Sequence, residues 1–499
     1  MASVPKSLPR ICVALGFSAA DPLIRAAEQE IKDGNLFLEL RLDHLRSPES
    51  GLSVISRLRK QNPEVFLLAT CRHKQNAGGF KGSVDEQVRL LARAAESGAR
   101  LLDLEIESAE PAKNSVSDLR RNASLIVSYH NFENTPALSA AWRRLTRIDA
   151  DIYKIATAAR KPSDDLRIAE FFRARHDTPL VAFAMNEIGI PTRILSLAAG
   201  CLFTYAAPMS GDGTAPGQIP AKAMRALYRA DKLGKQTKVF GVIADPVAHS
   251  RSPQIHNRAF QAKRIDAVYL PFRVLGSDLG DWVKLAKGLP VVGFSVTIPH
   301  KQKILRHLDI VDPLARRIGA VNTVWRKGGK WRGTNTDVAG ILRPLEQRVR
   351  LPKLSVLLAG YGGAARAAAF ALRDAGAHVT ITGRQTGCAE ALARVVAADA
   401  LAFSEAQRRR FDVLINATPV GMHPKTEESL FKGPIPARLV FDMVYNPHET
   451  LLLRQASEQG CETIHGYEMF LEQAAEQFEI WTGETAPRGV MRQAFETPQ

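Results

Sequence analysis

Cysteine is scarce in this chain: its 499 residues include five, at positions 12, 71, 201, 388 and 461, and no two of them form a CxxC pair. An odd number of scattered cysteines argues against a disulfide framework or a zinc cluster, so we expect reduced thiols and no metal. No apolar run approaches the ~20 residues that a membrane-spanning helix requires. The first apolar run, residues 11–15, begins too early to follow a cleaved targeting peptide, and we expect a cytoplasmic location.

Acidic residues are fewer than basic ones, which gives a formal net charge of +16. The basic residues are dispersed and their longest block is Arg408-Arg409-Arg410, so the pattern is not that of a nucleic-acid-binding surface. We interpret the charge as solvated surface with some attraction for small anions, and we predict no nucleic-acid partner. The length predicts two to four domains of roughly 150 residues each and leaves the oligomeric state open.

The first half is predicted to be an α/β domain of the small (β/α)8 TIM barrel type. Short apolar runs alternate there with helical stretches such as residues 84–97. Eight such units in about 200 residues have the count and length of this barrel, which we place at residues 1–234. The predicted strands span residues 11–15, 36–42, 65–70, 101–106, 125–129, 152–156, 180–185 and 201–206.

Lys154 stands in the middle of the sixth predicted strand, in an otherwise apolar run. A buried lysine is costly to desolvate as a cation, so burial favours the neutral amine, which can attack a ketone and form an imine. Active sites of such barrels lie at the carboxyl ends of the strands, and polar residues there are expected to converge. These residues are Glu39, Arg41, Arg72, Glu105, His130, Lys154, Arg193, Thr214 and Gln218.

Several motifs follow one another between residues 10 and 225: Glu39-Leu40-Arg41-Leu42-Asp43, Arg72 with Gly78-Gly79, Asp103-Leu104-Glu105, Ser128-Tyr129-His130, Tyr153-Lys154-Ile155-Ala156 and Ala215-Pro216-Gly217-Gln218. Together they resemble type I 3-dehydroquinate dehydratase. This resemblance implies that Lys154 forms a Schiff base with the substrate ketone and that His130, oriented by Glu105, transfers protons. A histidine that titrates near neutrality suits both directions of transfer.

The same resemblance assigns the substrate contacts. Arg193 would clamp the substrate carboxylate in a forked geometry. Two positions depart from the family: Thr214 stands where serine is common, and Ala77 stands where glutamate is common. The other substrate-binding residues implied are Glu39, Arg41, Arg72, Thr214 and Gln218.

A boundary is predicted near residue 235, where a polar, glycine-led linker follows a final barrel helix at residues 221–233. The second domain would occupy residues 239–499. We divide it into a substrate lobe, at about 239–345 with a C-terminal helix at about 467–499, and a Rossmann lobe at about 352–466. The C-terminal helix is expected to pack back on the substrate lobe.

Two features of the second half predict a nicotinamide-dependent reductase. Lys301 and Asp337 supply a cation to stabilise or protonate a developing alkoxide and a carboxylate to hold that cation. The strand at residues 354–359 enters a glycine turn, residues 360–364, which lets the backbone approach a pyrophosphate at a helix N-terminus. The next strand, residues 378–382, leads to Arg384 at the position where an acidic residue would select NAD, so the cofactor is predicted to be NADP.

The second half also carries ordered motifs: His249-Ser250-Arg251-Ser252-Pro253, Thr297 with Lys301, Ala320-Val321-Asn322-Thr323, Asn335-Thr336-Asp337, Asn416-Ala417-Thr418-Pro419 and Asp442-Met443-Val444-Tyr445. Residues 239–495 thereby resemble shikimate dehydrogenase. The resemblance implies catalysis by Lys301 and Asp337. The implied substrate residues are Ser250, Ser252, Thr297, Asn322, Asp337, Tyr445 and Gln473, and the implied cofactor residues are Gly360, Gly362, Gly363, Ala364, Arg384, Thr418, Met443 and Gly466.

We therefore hypothesise a bifunctional enzyme that dehydrates 3-dehydroquinate to 3-dehydroshikimate and reduces the product to shikimate with NADPH. One alternative is a dehydrogenase that acts on quinate. The hydroxyls of Ser252 and Thr297 argue against it, as does Arg384 in place of an acid. A second alternative is a regulator that only binds these metabolites. Such a regulator should have lost Lys154, His130, Lys301 or Asp337, and all four are present.

Overall fold

The computed structural model describes residues 4–174, 178–209, 213–248 and 250–497. His249, quoted above in the motif before Ser250, lies outside the described residues. The packing of the chain divides it into two units, Met1–Val239 with Asp266–Val291, and Phe240–Ile265 with Val292–Gln499.

The first sheet is a near-closed parallel barrel. It consists of β1 Ile11–Leu15, β2 Phe37–Arg41, β3 Phe66–Thr70, β4 Leu101–Glu105, β5 Ser124–Asn131, β6 Ile152–Ala158, β7 Leu180–Met185 and β8 Thr204–Ala206. The strands lie in the order β7-β6-β5-β4-β3-β2-β1-β8. Leu202 N–H, just before β8, donates to the carbonyl of Leu180 on β7 at 2.9 Å, which draws the two ends of this order together. The predicted fold class is confirmed.

The barrel strands are apolar along their length because both faces of the sheet are covered. The helices that alternate with them are α1 Ala20–Lys32, α2 Ser50–Gln61, α3 Val84–Glu96, α4 Ile106–Ala109, α5 Lys113–Asn122, α6 Leu138–Leu145, α7 Pro162–Arg173, α8 Asn186–Ala198 and α9 Ala221–Ala226. Helix α9 is shorter than the predicted helix at 221–233. It ends at Ala226, and it does not resume because Arg229 adopts a left-handed conformation (φ 50°), after which only a 3-10 turn at Ala230–Lys232 follows.

The next part of the chain contains β9 Lys238–Ala244, α10 Ser252–Ala262, β10 Ala267–Arg273, α11 Leu279–Gly288, β11 Val291–Val296, β12 Ile310–Val311, α12 Pro313–Ile318, β13 Thr323–Lys327, β14 Lys330–Thr334 and α13 Asp337–Glu346. Strands β9, β11, β13, β14 and β12 lie side by side in that order. The segment with β10 and α11 belongs to the first unit, where α11 packs against α7. The prediction had assigned this segment to the substrate lobe.

A doubly wound sheet follows, formed by β15 Ser355–Ala359, α14 Gly363–Asp374, β16 His378–Thr382, α15 Thr386–Val396, β17 Asp399–Ala400, α16 Phe403–Ala406, β18 Phe411–Asn416, β19 Ala437–Asp442, α17 Leu451–Glu458 and β20 Glu462–Ile464. Its parallel strands have the order β17-β16-β15-β18-β19-β20. The chain changes direction across the sheet at β15, and ligands of such sheets bind at this point. Buried alanines let α14 lie close to the sheet.

The chain closes with α18 Gly466–Thr482 and α19 Arg488–Glu496. Helix α18 packs against α13 and α10, and α19 packs against α10. A Cβ atom added to Gly340 of α13 would lie 2.7 Å from the Met469 carbonyl oxygen of α18, so these two helices approach closely. The C-terminal helices thus return to the elements that carry Asp337, as expected.

Candidate active sites

A cavity opens at the carboxyl ends of the barrel strands, and Lys154 lies within it with only 4% of its side chain exposed. Lys154 Nζ donates to Asp103 Oδ2 at 2.8 Å and to Tyr205 Oη at 2.9 Å. Glu105 is the one predicted barrel-site residue that does not line this cavity among the described residues. The predicted residues that do are Glu39, Arg41, Arg72, His130, Lys154, Arg193, Thr214 and Gln218.

Asp103 is a site residue that the sequence reasoning missed. Its buried carboxylate accepts from Lys154 and from Ser128 Oγ at 2.6 Å, and it lies 3.9 Å from an Arg72 nitrogen. Burial by itself would raise the pKa of Asp103, but Lys154 and Arg72 bring it below its usual value. Lys154 is thus held in the resting site by a buried carboxylate. Alternate residues of a strand lie on the same face, which puts Asp103 on the face that carries Glu105. This pattern in the sequence could have identified Asp103 as a site residue.

His130 is a partly buried imidazole near the end of β5. Its ring stacks on Phe132 with centroids 5.8 Å apart, and Nδ1 has no hydrogen-bond partner in the part of the chain that the structure describes. Burial lowers the pKa of His130 well below its usual value, and the charges of Arg72 and Lys154 lower it further. The ring is thus neutral at neutral pH instead of titrating there, which corrects the expectation. A neutral imidazole can act as a base at once.

Arg193 is buried and has a free edge. Its NH2 group donates to the Pro216 carbonyl at 3.2 Å, while Nε and NH1 have no hydrogen-bond partner among the described residues. The guanidinium lies 4.5 Å from the centre of the Phe183 ring, and burial lowers the pKa of Arg193 to about 9. A buried guanidinium that pairs with no carboxylate of the described residues is costly, so the site is suited to an anion brought by the substrate.

Two of the predicted barrel residues bind other protein groups. Arg41 donates from Nε and NH2 to the two oxygens of Asp43 at 2.9 and 2.7 Å, so this fork is already occupied. Glu105 Oε1 accepts from the His73 N–H at 2.7 Å, and no hydrogen bond joins Glu105 to His130 among the described residues. The expected role of Glu105 in orienting His130 is thus not supported by a hydrogen bond between the two side chains in the part of the chain that the structure describes.

The remaining barrel-site residues line the same cavity. Glu39 Oε1 accepts from the Thr70 hydroxyl at 2.7 Å, and the Gln218 amide donates to Thr214 Oγ1 at 3.3 Å. The loop with Gly79 is seated against β2: its N–H donates to Asp43 Oδ2 at 3.1 Å, and an added Cβ would lie 2.1 Å from the Asp43 carbonyl oxygen. Only glycine fits such an approach.

The second site is built around Lys301 and Asp337, which form an ion pair with Nζ and Oδ2 2.5 Å apart. Asp337 begins α13, and its other oxygen accepts from the Asn322 amide at 2.7 Å. Asn322 is itself fixed because its Oδ1 accepts from the Thr336 N–H at 2.8 Å. Asn322, predicted as a substrate residue, thus holds the Asp337 carboxylate in place.

Other predicted substrate residues surround this pair. The Gln473 amide donates to the Phe470 carbonyl at 3.0 Å, and Gln473 Oε1 is 3.5 Å from the Asn322 amide nitrogen. Tyr445 stacks on Phe470 with ring centroids 4.7 Å apart, and burial raises the pKa of its phenol. Ser252 is buried at the start of α10, and its N–H donates to Ser250 Oγ at 3.3 Å. The Thr297 N–H donates to the Ile243 carbonyl at 3.2 Å.

The glycine turn lies beside Lys301. A Cβ atom added to Gly363, the first residue of α14, would be 3.5 Å from Lys301 Cδ, while one added to Gly362 would meet nothing within 4 Å. Gly360 has φ 122° and donates its N–H to the Thr382 carbonyl at 2.8 Å. The first turn of α14, which includes Ala364, therefore presents free backbone N–H groups to open space, as a pyrophosphate requires.

The other predicted cofactor residues follow the neighbouring strands. Arg384 is exposed after β16, and Thr418 after β18 is held by Asn416 Oδ1 through N–H and hydroxyl at 3.0 and 2.7 Å. Met443 N–H donates to the Asn416 carbonyl at 3.0 Å. A Cβ atom on Gly466 would lie 2.3 Å from the Val444 carbonyl oxygen, so that position also demands glycine. These residues border one edge of the sheet and fit a dinucleotide.

The comparison that decides the family extends over nearly the whole chain. It is 34% identical, over 97% of its length and 84% of the relative's, to the "Bifunctional 3-dehydroquinate dehydratase/shikimate dehydrogenase, chloroplastic" of Arabidopsis thaliana. The chain belongs to this bifunctional family. The family models agree: type I 3-dehydroquinase matches residues 11–235, the shikimate dehydrogenase substrate binding domain 242–324, and the shikimate 5'-dehydrogenase C-terminal domain 466–494.

The second half of this bifunctional chain has relatives of its own. The "Shikimate dehydrogenase (NADP(+))" of Thermosynechococcus vestitus is 42% identical over 53% of the chain and 97% of that protein. A shikimate dehydrogenase solved in complex with NADP+ is 39% identical and covers 52% of the chain and 96% of that protein, with a TM-score of 0.50. These findings confirm the predicted enzyme class and NADP as the cofactor.

Within the described residues, no helix has the length and apolar character to cross a membrane. The predicted cytoplasmic location stays a prediction, and the Arabidopsis relative is named chloroplastic.

Proposed function

We propose that the chain catalyses two consecutive steps: dehydration of 3-dehydroquinate to 3-dehydroshikimate in the barrel, and reduction of that product to shikimate by NADPH in the second half. The observation that carries the proposal is the barrel cavity, which brings together a buried lysine, a neutral imidazole and an unpaired guanidinium. The ion pair of Lys301 and Asp337 beside the glycine turn supports the second step. Both reactions belong to the shikimate pathway.

Dehydration begins with attack of the Lys154 amine on the substrate ketone. Nζ must first lose a proton, and Asp103 Oδ2 lies 2.8 Å away as an acceptor. Loss of water from the adduct leaves a protonated imine, which withdraws electrons from the adjacent carbon and makes its hydrogen acidic. Arg193 holds the substrate carboxylate, while Glu39, Arg72, Thr214 and Gln218 contact ring hydroxyls.

His130 then takes the proton from that carbon. It is available as a base because burial and the cations around it lower its pKa. The same cations make the resulting imidazolium unstable, so it readily passes the proton to the departing hydroxyl. The carbon–oxygen bond breaks, a carbon–carbon double bond forms, and hydrolysis of the imine releases Lys154.

The second half reduces the ketone of the product. Bound NADPH supplies the hydride, and the residues that would hold it are Gly360, Gly362, Gly363, Ala364, Arg384, Thr418, Met443 and Gly466. Lys301 Nζ donates a proton to the carbonyl oxygen as negative charge develops there. Asp337 holds Lys301 in place, and Asn322 fixes Asp337. Ser250, Ser252, Thr297, Tyr445 and Gln473 contact the substrate.

A coupled assay tests the proposal on the full chain. The chain should oxidise NADPH with either 3-dehydroquinate or 3-dehydroshikimate. We expect Lys154→Ala to lose the response to 3-dehydroquinate and to keep the response to 3-dehydroshikimate, whereas Lys301→Ala should lose both. A folded chain that oxidises no NADPH with either compound would defeat the proposal, and faster turnover of quinate with NAD than of shikimate with NADP would redirect it.

The finer organisation is part of the same proposal. We place the domain boundary near residue 235, which is supported by the end of the dehydroquinase match at that residue. We also propose a cytoplasmic location. We propose no nucleic-acid partner because the basic residues are dispersed. Cell fractionation and an assay of binding to DNA test these two points.

A further inference from the structure

Tyr205 is a cavity residue to which no role has yet been given. It lies in the middle of β8, its side chain is buried, and it lines the cavity with Lys154. Its hydroxyl oxygen accepts from Lys154 Nζ at 2.9 Å, and Asp103 Oδ2 accepts from the same nitrogen at 2.8 Å. From this geometry we propose that Tyr205 is a positioning residue for the Schiff-base lysine. The inference rests on the proposed function of the barrel.

The phenol is itself held firmly. The Tyr205 ring packs against Phe203 and Phe183 with centroids 5.4 and 5.8 Å away. Phe183 also lies under Arg193, whose guanidinium carbon is 4.5 Å from the ring centre. One aromatic ring therefore contacts both the residue that holds the lysine and the residue that would hold the substrate carboxylate. This arrangement fixes the distance between nucleophile and anion clamp.

The two contacts on Nζ restrict the direction from which a ketone can be attacked. Asp103 and Tyr205 each accept a hydrogen bond from the nitrogen, and Lys154 lines the cavity that would admit the ketone. A lysine held by Asp103 alone keeps rotational freedom in its terminal bonds and spends less time in line with the carbonyl. After the imine forms, its one N–H still has the phenol oxygen within reach, so the acceptor also serves the cationic intermediate. The burial of the phenol keeps it protonated and neutral throughout.

The test is Tyr205→Phe in the full chain, which removes one oxygen atom and keeps the ring. We expect kcat for dehydration to fall by ~10-fold or more, since a hydrogen bond to a charged group is lost, with KM changed less than ~3-fold because the clamp remains. Borohydride trapping of substrate on Lys154, followed by mass spectrometry, should show the adduct forming more slowly by a similar factor. The reduction of 3-dehydroshikimate should be unchanged and serves as an internal measure of folding.

The matched control is Tyr153→Phe. Tyr153 is also a buried barrel tyrosine, next to Lys154 in sequence, but its hydroxyl donates to the Ile148 carbonyl at 2.8 Å. This variant should keep wild-type kcat and the wild-type trapping rate. Equal kcat and trapping rates for wild type and Tyr205→Phe would overturn the inference, as would equal losses in both tyrosine variants. If the wild-type chain itself formed no adduct at Lys154, the proposed function would fail, and this outcome is distinct from either result for Tyr205.

Discussion

The buried groups of the barrel cavity fall into those with protein partners and those without. Lys154 and Arg41 are each hydrogen-bonded to a carboxylate, whereas two nitrogens of Arg193 and two of Arg72 have no hydrogen-bond partner among the described residues. Because a buried charge without a hydrogen-bond partner is costly, these two arginines are the groups that most need a ligand. Sequence reasoning could name all these residues but could not sort them in this way.

Arg193→Lys tests the anion clamp. A lysine keeps the charge but cannot offer two parallel N–H groups, so we expect KM for 3-dehydroquinate to rise ~10- to 100-fold with a smaller change in kcat. Steady-state kinetics of the dehydratase measure this. Arg160→Lys, an exposed arginine of the same unit, should leave KM unchanged. A wild-type KM for Arg193→Lys would show that the carboxylate binds elsewhere.

Asp103→Asn tests the partner of the lysine. The variant leaves a buried ammonium without its counter-charge and removes an acceptor for its proton, so dehydratase kcat should fall at least ~10-fold. The reduction of 3-dehydroshikimate by the same preparation should stay at the wild-type rate. An unaltered dehydratase kcat would contradict the role given to Asp103.

The pH dependence of stability can be tested with a variant of His256 on α10. Burial lowers the pKa of His256 to about 3, although a hydrogen bond with Gln477 raises it in part. The unfolded chain binds a proton at His256 more readily than the folded chain does. The free energy of unfolding therefore keeps the contribution of neutral His256 above about pH 6.5 and loses it as the pH falls below that value, by up to ~1.4 kcal/mol per pH unit. His256→Phe should lose less stability between pH 7.5 and 5 than the wild type does, in denaturant unfolding. His378→Phe, at an exposed position, should not.

At the level of secondary structure, the predicted strands agree with the structure because buried parallel strands read as continuous apolar runs. Strands 11–15, 180–185 and 378–382 agree residue for residue. The helix predicted at 221–233 is wrong in its length, because it is interrupted by the left-handed Arg229, a conformation that no composition signal predicts. Residues 266–291 cluster with the barrel unit by packing, while the match to the substrate binding domain, residues 242–324, includes them.

The contact between α13 and α18 supplies a prediction at this level. Gly340→Ala would place a Cβ 2.7 Å from the Met469 carbonyl oxygen, so the helices must separate, although alanine is the better helix former. Because α13 begins at Asp337 and α18 carries Gln473, we expect lower stability and at least ~10-fold lower dehydrogenase kcat/KM. Gly387→Ala in α15 meets nothing within 4 Å and should leave both unchanged or raise stability slightly. An active, stable Gly340→Ala would show that the helices can shift freely.

For the whole molecule, the net charge of +16 predicts a salt effect on both reactions. The proposed substrates and NADPH are anions, and a cationic surface raises their rate of encounter. Salt screens this attraction, with a Debye length of about 30 Å at 0.01 M and about 8 Å at 0.15 M. We therefore expect kcat/KM to fall across this range for both activities, with kcat nearly constant. If kcat/KM did not change with salt concentration, the net charge would affect solubility and not the rate of encounter with the substrates.

The sequence by itself determined the barrel strands, the glycine turn, Lys154, His130 and the pair of Lys301 and Asp337, because apolar periodicity and short motifs are local properties of a chain. Tertiary structure alone decided which groups meet. Asp103 and Tyr205 each lie 51 residues from Lys154 in sequence, yet both bind its nitrogen. The charge states follow the same rule, since the neutral His130 and the paired Lys154 depend on burial and on nearby charges carried by other strands. Distance in space sets both effects, and spacing along a chain does not encode it.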